Sequence, residues 1–339
     1  MADYQVGFWN LENLFAPEGF PGREPWIADA MARDLTGWTE ALFERKVAQL
    51  ASVIVATNAG AGPDVLGVCE VENQFVLDRL TDVLNAALPA RTYAVVHADN
   101  IADRRGIDTA FVYDSNRLSV DPDAIFSHFV IRRTGTRDIT QVTFTTAAGN
   151  EFVAFANHWP SRSGGTVESA GFRATAAETL AYWHERVREI RGEDMAIIAL
   201  GDLNDEPWDA SVRYNANTSR ERGDTARAQS ARFHNPSWQY LHVDASDHRG
   251  NPRSIDGSLY FRGDGNLFDQ ILVNRSLLNG ERGLRVVDAS ATIALVPAMV
   301  DHRVSYGPRR FGLPAGDAAA NVEVDGYSDH FPVAVTITE

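Results

Sequence analysis

The chain has 339 residues, with 31 basic side chains against 46 acidic ones, a net charge of 31 − 46 = −15. Its 44% hydrophobic and 10% aromatic content excludes a disordered chain, and the length suffices for one large core or two ordinary ones. The acidity excludes a binder of nucleic acid or membrane that relies on a broadly basic surface, but not an enzyme that meets phosphate through bound cations.

Short apolar runs rich in β-branched and aromatic residues predict strands at 4–9, 65–69, 93–97, 109–113, 142–146, 152–156, 195–200, 268–273 and 331–337. Between the first two, Phe43, Val47, Leu50 and Ile54 recur at helical spacing and are stopped by Asn58, Gly60, Gly62 and Pro63. A longer stripe runs through Phe172, Ala176, Leu180, Trp183, Val187 and Ile190, with Ser169 as its expected N-cap and Gly192 as its stop. Several strand runs follow one another with only turn residues between, which points to a mixed α/β layered sandwich rather than a doubly wound parallel sheet. No linker divides the chain, so a single domain over 1–339 is expected. The polar segment around 213–235, with Arg213, Arg220, Arg222, Arg227 and Arg232, reads as an insertion or surface loop. Cys69 is the lone cysteine, which excludes an intramolecular disulfide and a cysteine-rich zinc site. No stretch approaches the roughly 20 apolar residues of a membrane span. The first residues carry neither a basic nor an apolar signal region, so a soluble chain without a secretory signal is expected, its compartment open.

The informative residues follow the strands. The first strand runs into Asn10-Leu11-Glu12, the second into Glu70, the sixth into Asn157-His158 and the seventh into Gly201-Asp202-Leu203-Asn204. Strand ends are where a sheet presents side chains to a cleft. Alternation places Asn10 with Glu12, and Asp202 with Asn204, on common faces. With Glu70 these make an oxygen-rich pocket that is costly unless a cation sits in it, and hard oxygen ligands favour Mg²⁺ or Mn²⁺. Asp269, inside an otherwise apolar strand, requires a partner. Ser328-Asp329-His330 opens the last strand, and a histidine there with a nearby carboxylate is what a general base needs. Asp247-His248 and Asp301-His302 lead into no comparable strand and read as surface loops. Trp9 and Trp159 read as core aromatics.

Six motifs in order, Phe8 to Glu12, Cys69 to Asn73, Asn157 to Arg162, Gly201 to Asn204, Phe268 to Ile271 and Ser328 to Pro332, resemble those of the endonuclease/exonuclease/phosphatase superfamily. The resemblance implies an α/β four-layer sandwich, two mixed β-sheets face to face with helices on the outside. It also implies phosphoester hydrolysis at one rim with one or two divalent ions, Mg²⁺ or Mn²⁺. Carried over by position, Glu70 is the principal metal carboxylate, with Asn10 and Glu12 beside it and Asp329 as a further ligand. Asp202 and Asn204 orient the attacking water and hold phosphoryl oxygens. His330 is the base, oriented by Asp269. His158 donates to the phosphoryl or leaving oxygen, with Asp108 as its partner. Asn157, Arg162 in the Ser161–Gly165 loop and Arg173 on the long helix are the expected substrate contacts.

Three functions remain at this level. A nuclease-like phosphodiesterase on DNA or RNA is favoured, supported by the five arginines of 213–232, which with Glu221 and Asp224 give 5 − 2 = +3. A hydrolase of small or lipid phosphoesters suits the acidity. A non-catalytic binding protein of the same fold is disfavoured, because every motif keeps a competent residue. No partner protein is implied.

Overall fold

The computed structural model describes residues 2–100, 103, 105–312 and 316–339. Each of the nine expected strands is present, and they assemble into two mixed sheets. The first sheet has seven strands, with Asp3–Leu14 between the antiparallel Val333–Thr338 and the parallel Val65–Val71, and Asp108–Asp114 then Tyr93–His97 beyond. The second has eight, with Ala196–Asp202 between the parallel Glu151–His158 and the antiparallel Asp269–Asn274. Ala196–Asp202 is buried along its whole length. A central strand covered on both faces needs apolar residues at every position, which is why it reads as one continuous run and not as an alternation.

The two sheets lie face to face. Phe111 of the first sheet meets Phe144 of the second edge-on at 5.5 Å, and Phe144 stacks on Phe152 at 5.3 Å. At Gly67 the sheets approach so closely that a Cβ would stand 2.2 Å from Leu200 Cδ1. Pleating separates the outer layer: Phe152, Ala154 and Ala156 enter the shared core, whereas Val153 and Phe155 face the helix Thr166–Arg191. The helix Glu40–Gly60 buries Phe43, Val47, Leu50 and Ile54 against the first sheet, and leaves helical geometry at Thr57 to Ala59, where Asn58 and Ala59 turn left-handed.

Two local expectations are corrected. The helix Thr166–Arg191 begins four residues earlier than expected, with Gly165 at its N-terminus, and Ser169 lies inside it with its hydroxyl donating to the Gly165 carbonyl. Its buried face is rotated as well: Arg173, Ala177 and His184 join Ala176, Leu180 and Val187, and Ile190 is 74% exposed. Residues 213–235 are built into the fold, since Thr218–Ser219 and Phe233–His234 extend the edge of the second sheet and frame the helix Arg222–Ala226. No helix among the described residues is long and apolar enough to cross a membrane.

His184 gives this packing a pH signature. It stacks on Phe233 with centroids 4.0 Å apart, its Nε2 lacks a hydrogen-bond partner among the described residues, and burial followed by the Arg188 charge pushes its pKa from 6.5 to about 3. A histidine held neutral in the fold is protonated first in the unfolded chain, so its contribution is intact above pH 6.5 and is lost as pH falls toward 3. Between pH 7 and pH 5 that loss amounts to about 2 kcal/mol. Urea unfolding at the two pH values is expected to show a drop in stability smaller by about this amount in His184→Phe than in the parent chain; equal drops would refute the assignment.

Candidate active site

Strand register brings the site together. His158 lies beside Asp202 and Asp202 beside Asp269, so three adjacent strands end in one row. In the facing sheet Asn10 is level with Cys69, the residue before Glu70. The rows meet at one rim, where Asn10 Nδ2 donates to Asp202 Oδ2 at 3.2 Å across the sandwich.

His330 and Asp269 form a buried pair, Nδ1 to Oδ2 at 2.7 Å. The histidine backbone is held on both sides: its N–H donates to Ser328 Oγ at 3.1 Å and its carbonyl accepts from Trp9 Nε1 at 2.8 Å. Ser328 in turn donates to the Asn10 carbonyl at 2.6 Å. Burial alone lowers an imidazole pKa, but the charge and hydrogen bond of Asp269, with Asp202 and Asp329 beyond, raise that of His330 well above its usual value. Its Nε2 faces the rim, 3.9 Å from both Asp202 Oδ2 and Asp329 Oδ1. Nearby, burial first and then the charges of Arg137, Arg105 and His330 push His158 well below the usual value. Its neutral ring presents Nε2 at 3.6 Å from Glu70 Oε1 and 3.7 Å from Asp202 Oδ2.

The donors fit a hard divalent cation. Asp202 is raised to about 7, chiefly by burial and further by the Asp269 and Glu70 charges. Asp269 Oδ1 and His158 Nδ1 are buried without a hydrogen-bond partner among the described residues. Two carboxylates held around a neutral imidazole are a set that a bound cation relieves.

The backbone at the rim is bent. Glu12, Asn13, Glu70 and Asn204 adopt φ of 52°, 53°, 60° and 50°, a left-handed conformation uncommon outside glycine, and pairing is irregular past Asn10 and Cys69. These bends overturn the expectation that alternation would place Asn10 with Glu12 and Asp202 with Asn204. The Glu12 carboxylate accepts from Arg310 Nε at 2.8 Å and from the Gly312 N–H at 3.1 Å. Its carboxylate is thus engaged by the Arg310 ion pair. Asn204 donates its N–H to Asp202 Oδ1 at 3.0 Å and its Nδ2 to the Trp159 carbonyl at 3.0 Å.

Four further expectations change. Asp108 pairs with His97, Oδ2 to Nε2 at 2.9 Å, because the two lie on neighbouring strands of one sheet whereas His158 belongs to the other. Asn157 is fully buried, bonded to the Phe155 and Leu200 carbonyls and to Trp159 Nε1, and is scaffold. Arg173 is also internal, 2.7 Å from Asp205 Oδ1 and bonded to Ser169 and Thr166. Arg162 is engaged by Asp205 at 2.8 Å, by the Asn204 carbonyl at 2.8 Å and by Asp209, so it braces the loop that follows Asp202. Trp9 and Trp159 are buried core aromatics as expected. Sequence reasoning missed Arg310 and Arg137, which carry no periodic signal. It also missed Asp205, for which the acidic pair Asp205-Glu206 directly after the Gly201–Asn204 motif was the available sign.

The chain matches the model of the Endonuclease/Exonuclease/phosphatase family over residues 5–339. It belongs to that family. Members of the family are phosphoester hydrolases. No curated protein matches the sequence. Solved structures resemble this member over its whole length. A mannosyl-6-phosphatase of Bacteroides thetaiotaomicron is 16% identical at a TM-score of 0.54, covering 99% of this chain and 100% of its own. A family protein of Bacteroides vulgatus is 15% identical at 0.52, with complete coverage of both. The human nocturnin catalytic domain with bound sulfate is 16% identical at 0.50, covering 99% and 94%. At these identities the likeness carries the fold alone.

As an internal tie, Arg173 has a measurable consequence. Arg173→Met leaves Asp205 short of a buried partner and is expected to cost about 3 kcal/mol in urea unfolding. A cost below about 1 kcal/mol, the range of exposed ion pairs, would return Arg173 to a cleft-facing role.

Proposed function

We propose that this family member is a divalent-metal-dependent phosphodiesterase acting on nucleic acid. The observation that carries the reading is the buried His330–Asp269 pair, whose free nitrogen faces Asp202 and Asp329 at the rim.

The residues divide the work as follows. Asp269 accepts from Nδ1 and so orients His330 with Nε2 toward the rim; in the neutral form of the ring that nitrogen takes a proton from the attacking water, and Asp269 stabilises the imidazolium that results. Asp202, anchored by Asn10 and by the Asn204 N–H, orients that water. His158, held neutral, donates a hydrogen bond to a phosphoryl or leaving oxygen as charge develops there. Glu70, with Asn10 and Asp329, would hold Mg²⁺ or Mn²⁺, which when bound neutralises phosphate charge and acidifies water. The second reading is hydrolysis of small phosphoesters, the substrate class of the mannosyl-6-phosphatase that shares the fold.

His330→Ala is expected to lower kcat on a small chromogenic phosphodiester by at least about 100-fold with the fold retained by circular dichroism. An unchanged rate would refute the assignment of the base. Chelation of the metal is expected to abolish turnover of the parent enzyme and its readdition to restore it, and metal-independent turnover would sink the mechanism. Turnover of the small diester with plasmid and single-stranded oligonucleotide both left intact would favour the second reading.

A further inference from the structure

A cleft of about 1020 Å³ opens beside the rim at Asp329 and Arg310. One wall is the hairpin of Leu259–Phe261 and Asp264–Asn266. It grows directly from the catalytic pair: Leu259 bridges His330, Phe331 donates its N–H to the Ser258 carbonyl at 2.7 Å, and Ser258 Oγ accepts the Asp269 N–H at 3.1 Å. The other wall is the loop 301–310. It is fixed from behind by Arg253, whose guanidinium donates to the carbonyls of Arg303 at 3.1 Å and of Val304 and Tyr306 at 3.2 Å. The walls meet where Gly307 passes over Tyr260, a Cβ there lying 2.1 Å from the ring. Both histidine motifs read as surface loops, at His248 and His302, line this cleft.

The lining combines exposed rings with guanidinium groups. Phe261 is 61% exposed and Tyr306 49% exposed, and each carries an arginine on its ring, Arg262 at 5.2 Å and Arg303 at 3.7 Å. Arg303 is tied to Asp301 and Arg310 to Glu12. Arg262 and Arg309 have no carboxylate within ion-pair distance among the described residues. Arg262 sits at the hairpin tip with φ 56°, beside Gly263 at 96°, in a turn where asparagine and glycine are the unstrained choices. Four arginines against Asp301, Glu323 and Asp329 give the cleft 4 − 3 = +1 in a chain of −15.

We propose that this cleft binds unpaired nucleotides flanking the scissile phosphate, with bases stacked on Phe261 and Tyr306 and phosphates against Arg262 and Arg309. The inference rests on the nucleic-acid reading above and narrows it to single strands. Stacking on aromatic side chains requires open base faces, which a duplex hides. A duplex would also set two phosphate rows against a protein of strong negative charge, whereas a single strand needs only local cations. The cleft runs from Asp329 outward, so a strand whose phosphate lies at His330 continues into it.

The test is fluorescence anisotropy with a labelled ten-thymidylate strand and its duplex with adenylate, in chelator so that neither is cut. The single strand is expected to bind at least about tenfold tighter than the duplex, and Phe261→Ala and Tyr306→Ala each to weaken it by roughly tenfold. Two phosphate contacts give a slope of log affinity against log salt near roughly −1.4, which Arg262→Ala is expected to reduce by about 0.7. Equal binding of duplex, or unaltered affinity in both aromatic variants with the parent thermal midpoint, would overturn the proposal. Turnover of the small diester by the parent enzyme is measured in parallel with Mn²⁺. Its absence refutes the phosphodiesterase reading, and its presence with strand affinity unchanged in the cleft variants refutes the cleft alone.

Discussion

The hydrogen bond between Asp269 and His330, 2.7 Å long and buried, ties the start of the interior strand Asp269–Asn274 of one sheet to the residues that open the last strand of the other. A buried carboxylate is tolerated only with a partner, and a buried imidazole keeps a proton only beside a negative charge. Each group supplies what the other lacks. The surroundings serve that pair: Trp9 and Ser328 hold the histidine backbone, Ser258 holds the Asp269 N–H, and Ser328 reaches on to Asn10. Displacing either partner therefore disturbs the junction of the sheets as well as the chemistry.

Around this junction the protein gathers more carboxylates than a low-dielectric rim would ordinarily accept, and it treats them in two ways. Glu12 is neutralised internally by Arg310, with Lys46, the single lysine, buried and donating to its carbonyl. Arg162 and Arg173 do the same for Asp205 behind the catalytic loop. Glu70 and Asp202 are left facing a neutral His158. The contrast is in their partners: Glu12 and Asp205 are held by arginines, whereas Glu70 and Asp202 have no arginine within ion-pair distance among the described residues.

The sheets decide where this occurs, and the bends decide how. Register aligns His158, Asp202 and Asp269, while left-handed residues at Glu12, Glu70 and Asn204 end the pleat and redirect the side chains. Holding non-glycine residues there costs of order 1 kcal/mol or more each, a strain met by the packed sandwich beneath. The hairpin after Gly257 and the loop after Val300 then extend the rim into a walled cleft, so catalytic and cleft residues share their supports.

Much of this was legible in the sequence, because strand cores declare themselves through β-branched runs and strand ends through the polar residues that follow them. The nine strands and the candidacy of Glu70, Asp202 and His158 came from such local signals, and the pairing of His330 with Asp269 came from the family resemblance. What misled was alternation carried past the strand ends: Glu12 and Asn204 themselves adopt the left-handed φ that breaks the pleat, which spacing does not reveal. Asp108, Asn157 and Arg173 were polar residues near the right motifs, and only their neighbours in space, His97, Trp159 and Asp205, show them to be structural. The sequence by itself determined the elements and the chemical types that meet, since those depend on short-range pattern. The tertiary structure alone decided which acids are neutralised and which remain open, because partners such as Arg310 for Glu12 lie 298 residues apart along the chain.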